Sequence, residues 1–126
     1  MPLSFYIGKK KYGINLNYFR NWHYQVSKKI KGKYADHALP QLQGIKFTDK
    51  VSITFILWKR DNRRIERANP LSIHEKFFCD AMVKAGCLPD DNDDYIQSSH
   101  YYTGGVDKLN PRVDVIISQS NPNALM

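Results

Sequence analysis

The run KVSITFILW (50–58) has to be buried wherever the rest of the chain goes. It is rich in β-branched and aromatic residues and almost continuously apolar, which predicts a buried central strand. Such a strand needs covering layers, and the flanking segments have the pattern to supply them. From about Tyr18 to Ala38 the periodicity is helical: Trp22, Val26 and Ile30 recur four apart, while the lysines largely take other faces. Pro40 is expected to end that segment. From about Asn69 to Ala85 the pattern is helical again, with Asn69 as N-cap, Pro70 in the first turn and Gly86 as the stop. Phe77, Phe78, Ala81, Met82 and Ala85 form one apolar face, and Asn69, Ser72, Lys76 and Asp80 fall opposite.

Shorter extended pieces complete the reading. LSFYIG is a first strand closed by Gly8, and KKKYGINLN is turn-rich with room for a second short one. YIQSSHYY (95–102) reads as a strand, TGGVDKLNP as a hairpin-like connection, and RVDVIIS (112–118) as a last strand. Residues 119–126 read as a loose tail. The expected fold is α/β: one domain over 1–126, a mixed sheet with two main helices in the order β-α-β-α-β-β.

With 42% hydrophobic and 13% aromatic residues, the chain is too apolar for disorder. No apolar run approaches the roughly 20 residues that span a bilayer, so no membrane partner is expected. The first basic residues follow the first apolar run, the reverse of a secretory signal, which predicts an intracellular, cytoplasmic protein. Cys79 and Cys87 lack the paired spacing of a zinc site and read as reduced packing residues.

The formal charge is +7, concentrated in GKKKYG (8–13), SKKIKGKY (27–34) and WKRDNRRIER (58–67). Separate basic clusters suggest a polyanion, most often nucleic acid, although a ribosomal or anionic-lipid partner has the same signature. The candidate phosphate contacts are Lys9, Lys10, Lys11, Arg20, Lys28, Lys29, Arg63, Arg64 and Arg67.

Against that background LPDDNDDY (88–95) places Asp90, Asp91, Asp93 and Asp94 in one loop. Close carboxylates repel unless water, cations or arginine separate them. The loop is therefore either a solvated turn or a site for a divalent metal. The second helix could bring Lys76 and Asp80 toward it, with Glu66 ahead of the helix start. Magnesium takes a few carboxylates and several waters, and can activate water for phosphodiester cleavage. An EF-hand is excluded, because counting from Asp90 puts Tyr95 at the glycine position and Tyr101 at the glutamate position. TGGVDK lacks P-loop spacing. His74 lies on an apolar face and reads as packed. His23 reads as a DNA contact or a structural hydrogen bonder. Ser98 and Ser99 have no identifiable base and orienter.

The segment IERANPLSIHEKFFCDAMVKAGCLPDDNDDY (65–95) resembles the central signature of RusA-type Holliday-junction resolvases, small endonucleases typical of phages and prophages. The matching positions are Glu66, Asn69, Lys76, Asp80 to Met82, Gly86, Asp90 and Asp91. LNYFRNWHY (16–24) is similar to the N-terminal region of that family, and GGVDKLNPRVDVII (104–117) to its closing hairpin. One departure stands out. Where the family has two aspartates at the helix start, this chain has Glu66 and Ala68, and the interval from Asn69 to Lys76 is one helical turn longer. The resemblance implies a homodimer that binds four-way DNA and cuts with Mg2+, or Mn2+. Glu66, Asp90 and Asp91 would hold the metal, Asp80 would assist, and Lys76 would stabilise the phosphate transition state. The alternatives are a non-catalytic branched-DNA binder whose site is eroded at Ala68, and a basic module for RNA or protein.

Overall fold

In the computed structural model, described over residues 1–119, the chain runs through β1 (Ser4–Ile7), β2 (Lys10–Gly13), α1 (Leu16–Phe19), α2 (Tyr24–Leu42), β3 (Val51–Lys59), α3 (Ala68–Lys84), β4 (Ile96–Val106) and β5 (Arg112–Gln119). The result is a mixed α/β domain with two sheets. The expected order holds for the main elements and gains two short ones, β2 and α1.

β1 and β2 form an antiparallel hairpin in which Ile7 faces Lys10. Gly8 has φ 60, and among the described residues none other than glycine has a positive φ, the pattern of a turn with glycine first. The larger sheet has the order β4-β3-β5. β3 is parallel to β4 and antiparallel to β5. β4 and β5 therefore lie on opposite sides of β3 and do not pair with each other, as a hairpin would. The residues TGGV belong to β4, and only 107–111 connect, passing the end of β3, where the Asp107 N–H donates to the Lys59 carbonyl at 2.8 Å. The chain start ties the two sheets together: Pro2 bridges Arg112, and the Val113 N–H donates to the Met1 carbonyl.

β3 is central, as expected, but its two faces differ. Val51, Ile53, Phe55 and Leu57 are buried, whereas Ser52, Thr54, Ile56 and Trp58 are half-buried. The side-chain period of two sends the first set under the helices and the second to a face that carries no helix. α2 and α3 pack together over the buried face. From α2, Ile30, Tyr34, Ala38 and Leu42 form a strict four-residue stripe. From α3, Leu71, Phe77, Phe78 and Met82 meet it, with Phe55 edge-on to Phe78.

Several local expectations are corrected. The first helical segment is two helices, broken at residues 20–23, where His23 caps α2 by accepting the Gln25 N–H on Nδ1 at 3.3 Å. Pro40 lies inside α2 instead of ending it. It is exposed, so the carbonyl it cannot serve faces water, and buried Leu42 holds the last turn down. The cap position of α3 is Arg67, with no side-chain cap bond. The Asn69 amide serves elsewhere: its Oδ1 accepts the Leu16 N–H at 3.0 Å and pins α1 to the start of α3. α3 does stop at Gly86, which has φ 81. The Cys87 N–H reaches the Met82 carbonyl and the Gly86 N–H the Val83 carbonyl, the paired bonds of a Schellman end. Of the expected tail, Gln119 closes β5 and accepts the Thr48 N–H on Oε1, while 120–126 lie outside the described residues.

Candidate functional site

The functional side chains divide between the two ends of α3. At its amino end lies a cavity of about 600 Å3, walled by β2, α1, the end of β3 and the loop 60–67. Lys11, Lys59, Arg60 and Arg63 line it, with Asn15, Asn17, Tyr18 and Asn69 among them. The carboxyl end of a central strand followed by a helix is where α/β folds place ligands, because the strand and helix axes diverge there and leave room. The helix end adds a partial positive charge. The loop is shaped by its own bonds: Lys59 Nζ donates to the Arg63 carbonyl at 2.9 Å, and the Arg63 N–H to Asp61 Oδ1 at 3.0 Å. Four cations from three segments line one concave surface, offset in part by Asp61, which lines it too and lies 3.4 Å from Arg63 Nε. A net positive surface of this kind can hold phosphate oxygens.

At the other end of α3 lies the acidic loop. Asp90 accepts the Asp91 N–H at 2.8 Å and the Asn92 amide at 3.3 Å, and Asn92 Oδ1 accepts the Asp94 N–H at 2.9 Å. Two of these side chains therefore build the turn itself. Partial desolvation, the hydrogen bond with Asp90 and the nearby Asp80 carboxylate raise the Asp91 carboxyl above its ordinary value. Asp80 is thus within electrostatic reach of Asp91, and the side chains of Asp80, Asp90 and Asp91 are all exposed. Asp93 and Asp94 are exposed.

Glu66 does not join them. It precedes α3, fourteen positions before Asp80, and at ~1.5 Å per residue that is about 20 Å along the helix. Lys76 is exposed one turn before Asp80, with Nζ 5.6 Å from the centroid of Phe19. Among the described residues, no three His, Cys, Asp or Glu side chains converge as a metal-holding group. The carboxylates of Asp80, Asp90 and Asp91 are hard oxygen donors of the kind magnesium takes, but the described residues do not gather the three into one ligand group. Glu66, across the length of the helix, does not fit with them within one chain.

Of the basic candidates, the structure brings Lys10, Lys11 and Arg63 to concave surface, while Lys9, Arg20, Lys28, Lys29, Arg64 and Arg67 are exposed outside it. Lys59, Arg60, Asn17 and Tyr18 were not among the residues expected from sequence to touch phosphate. Position was the available signal: Lys59 and Arg60 end the central strand just ahead of a helix.

The histidines separate cleanly. His74 is fully buried, with Nδ1 2.8 Å from the Tyr34 hydroxyl, and burial pushes its pKa down to about 3. It is a packed residue, as its position on the apolar face predicts. His23 makes a structural hydrogen bond through Nδ1 at the start of α2 and also lines a concave surface. His100 Nε2 stands 3.0 Å from Ser98 Oγ, which is 2.8 Å from Ser52 Oγ on the uncovered sheet face. The serine thus has a neighbouring base, but among the described residues no carboxylate is hydrogen-bonded to His100 to orient it. Cys79 and Cys87 are buried free thiols, both raised chiefly by burial, Cys79 to about 12. Among the described residues no helix is long and apolar enough to cross a membrane.

No protein-family model matches this chain, and no curated protein matches it significantly in sequence.

Proposed function

We propose that this protein binds branched DNA and, as a homodimer, cleaves four-way junctions in a magnesium-dependent reaction. The observation that carries the reading is the basic cavity at the amino end of α3. Lys11, Lys59, Arg60 and Arg63 contact phosphates there, which gives affinity with little dependence on sequence. The resemblance of residues 65–95 to RusA-type resolvases supplies the junction and the cleavage. Asp90 and Asp91 would contribute carboxylates to the ion, with water completing its shell and Asp80 assisting, and magnesium so held would supply activated water and neutralise charge on the phosphate. Lys76 stabilises charge developing on the phosphate. A non-catalytic branched-DNA binder is the second reading. The separation of Glu66 from the aspartates, and the missing carboxylate at Ala68, favour it.

Single-turnover cleavage of a saturated synthetic four-way junction, with and without magnesium, tests the choice. The nuclease reading expects metal-dependent nicks, lost by orders of magnitude in Asp91→Asn while junction binding persists. Tight junction binding with no cleavage in magnesium or manganese would move the assignment to the second reading. Equal affinity for four-way and linear DNA would remove both.

A further inference from the structure

A second cavity, of about 490 Å3, adjoins the basic one. Successive residues of β2 point to opposite sides, and here they divide two spaces: Lys10 and Tyr12 line the second cavity, Lys11 and Gly13 the first. Asn17 and Tyr18 line both and form the shared rim. The second cavity has a character of its own. Its walls include three aromatic rings, Tyr12, Tyr18 and Trp22, together with Asn17, Asn21 and His23.

We infer that this cavity receives an unpaired nucleobase of a DNA strand whose phosphates lie in the adjoining basic cavity. The inference rests on the DNA-binding reading and adds a base site to it. Aromatic walls with a lysine and carboxamides at the edge suit a flat, π-rich group with polar edges, and single strands are held by stacking beside a basic groove. Tyr18 is 44% exposed, an aromatic surface free to stack. The His23 Nδ1 accepts a backbone N–H, so in the neutral ring the proton sits on Nε2, a donor at the rim. Asn21 Nδ2 is committed to the Asn17 carbonyl at 2.8 Å, which holds the rim in shape and leaves the Asn17 carboxamide to read a base edge. Trp22 is braced between Phe19, Phe77 and Tyr12, and among the described residues its buried indole N–H has no partner. A fully paired duplex presents a base to a cavity only at the cost of unpairing and unstacking it, which a single strand or an opened branch point largely avoids.

The test is a cycle with a short oligothymidylate, intact or carrying an abasic unit at each position in turn, read by fluorescence anisotropy. For the unmodified protein, one abasic position should lower affinity about tenfold. In Tyr12→Leu, which lacks the ring, the same abasic position should cost less than about twofold. A second readout uses the unmodified pocket: with Trp58→Phe, Trp22 is the sole tryptophan, and its emission should be quenched by the intact strand and not by the abasic one. Equal affinity of the unmodified protein for intact and abasic strands would overturn the base site. If that protein still binds four-way junctions, the DNA-binding reading stands alone; if it binds no DNA, both fall.

Discussion

Tyr34 and His74 form a polar pair sealed in the apolar core, and they give the protein a built-in acid sensitivity. The folded imidazole protonates only near pH 3, whereas an unfolded one protonates near its ordinary value of 6.5. Between those values the unfolded chain holds the extra proton, so stability is full above about pH 6.5 and falls as the pH drops. At pH 5 the loss relative to neutral pH is about 2 kcal/mol. Urea unfolding at pH 7 and pH 5 should show it, and His74→Gln should flatten the slope; an unchanged slope in that variant would assign the effect to other groups. Tyr34→Phe strands a buried ring nitrogen and should cost about 1–3 kcal/mol at neutral pH. The cysteines obey the same physics. With Cys79 pushed up to about 12 and both thiols buried, neither should react with a maleimide in the native protein, and both should react in denaturant. Native labelling at either position would contradict the burial.

β4 shows how one residue can set the path of a strand. A Cβ on Gly104 would lie 2.7 Å from Trp58 Cε2, so the indole lies directly on the glycine backbone. The ring is held there by its Nε1 donating to Asp114 at 2.9 Å and by the Arg112 guanidinium 5.1 Å from its centroid. Gly104→Ala should displace the ring, cost about 1–3 kcal/mol and shift tryptophan emission to the red; an unmoved spectrum would mean that the sheet yields instead. On the buried side of β3, Phe55→Ala should cost about 3–5 kcal/mol, because Phe78 and Tyr101 both pack on that ring. α3 ends sharply because Gly86 reaches φ 81 without a Cβ penalty. α2, by contrast, runs past Pro40, since burial of Leu42 outweighs one missing hydrogen bond at the exposed side of the last turn.

A net charge of +7 gives the protein a positive field, but the field does not say where a polyanion sits. The fold gathers Lys11, Arg60 and Arg63 into one cavity from segments about 50 residues apart. Replacing the three together by glutamine should lower the slope of log affinity against log salt for junction DNA by up to about 3, nearly one for each phosphate left without its cation. An unchanged slope would remove the cavity from the DNA footprint. Reduced slopes for linear and four-way DNA alike would show that the cavity supplies affinity and that branch selectivity comes from another surface.

Periodicity carried the main architecture. The stripe continuing from Ile30, the apolar face of the second helix and the burial of Phe55 are each written in the spacing of neighbouring residues, because a side chain's direction follows from its place in a helix or strand. The positive φ at Gly86 was legible for the same local reason. Strand neighbours were not: TGGVDKLNP suits a hairpin, and only the competition for β3 puts β4 and β5 on its two sides. Nor was the use of Asn69, whose amide fits a local cap equally well until Leu16 arrives from far along the chain. The acidic residues show the limit most clearly. Their spacing says that Asp90 and Asp91 are adjacent and that Glu66 precedes a helix, but the helix is a rigid spacer of about 1.5 Å per residue, and it holds those carboxylates apart. Conversely, Lys11 and Arg60 are distant in the chain and share a wall, since the chain start is tied to β5 and carries β2 with it to the end of β3.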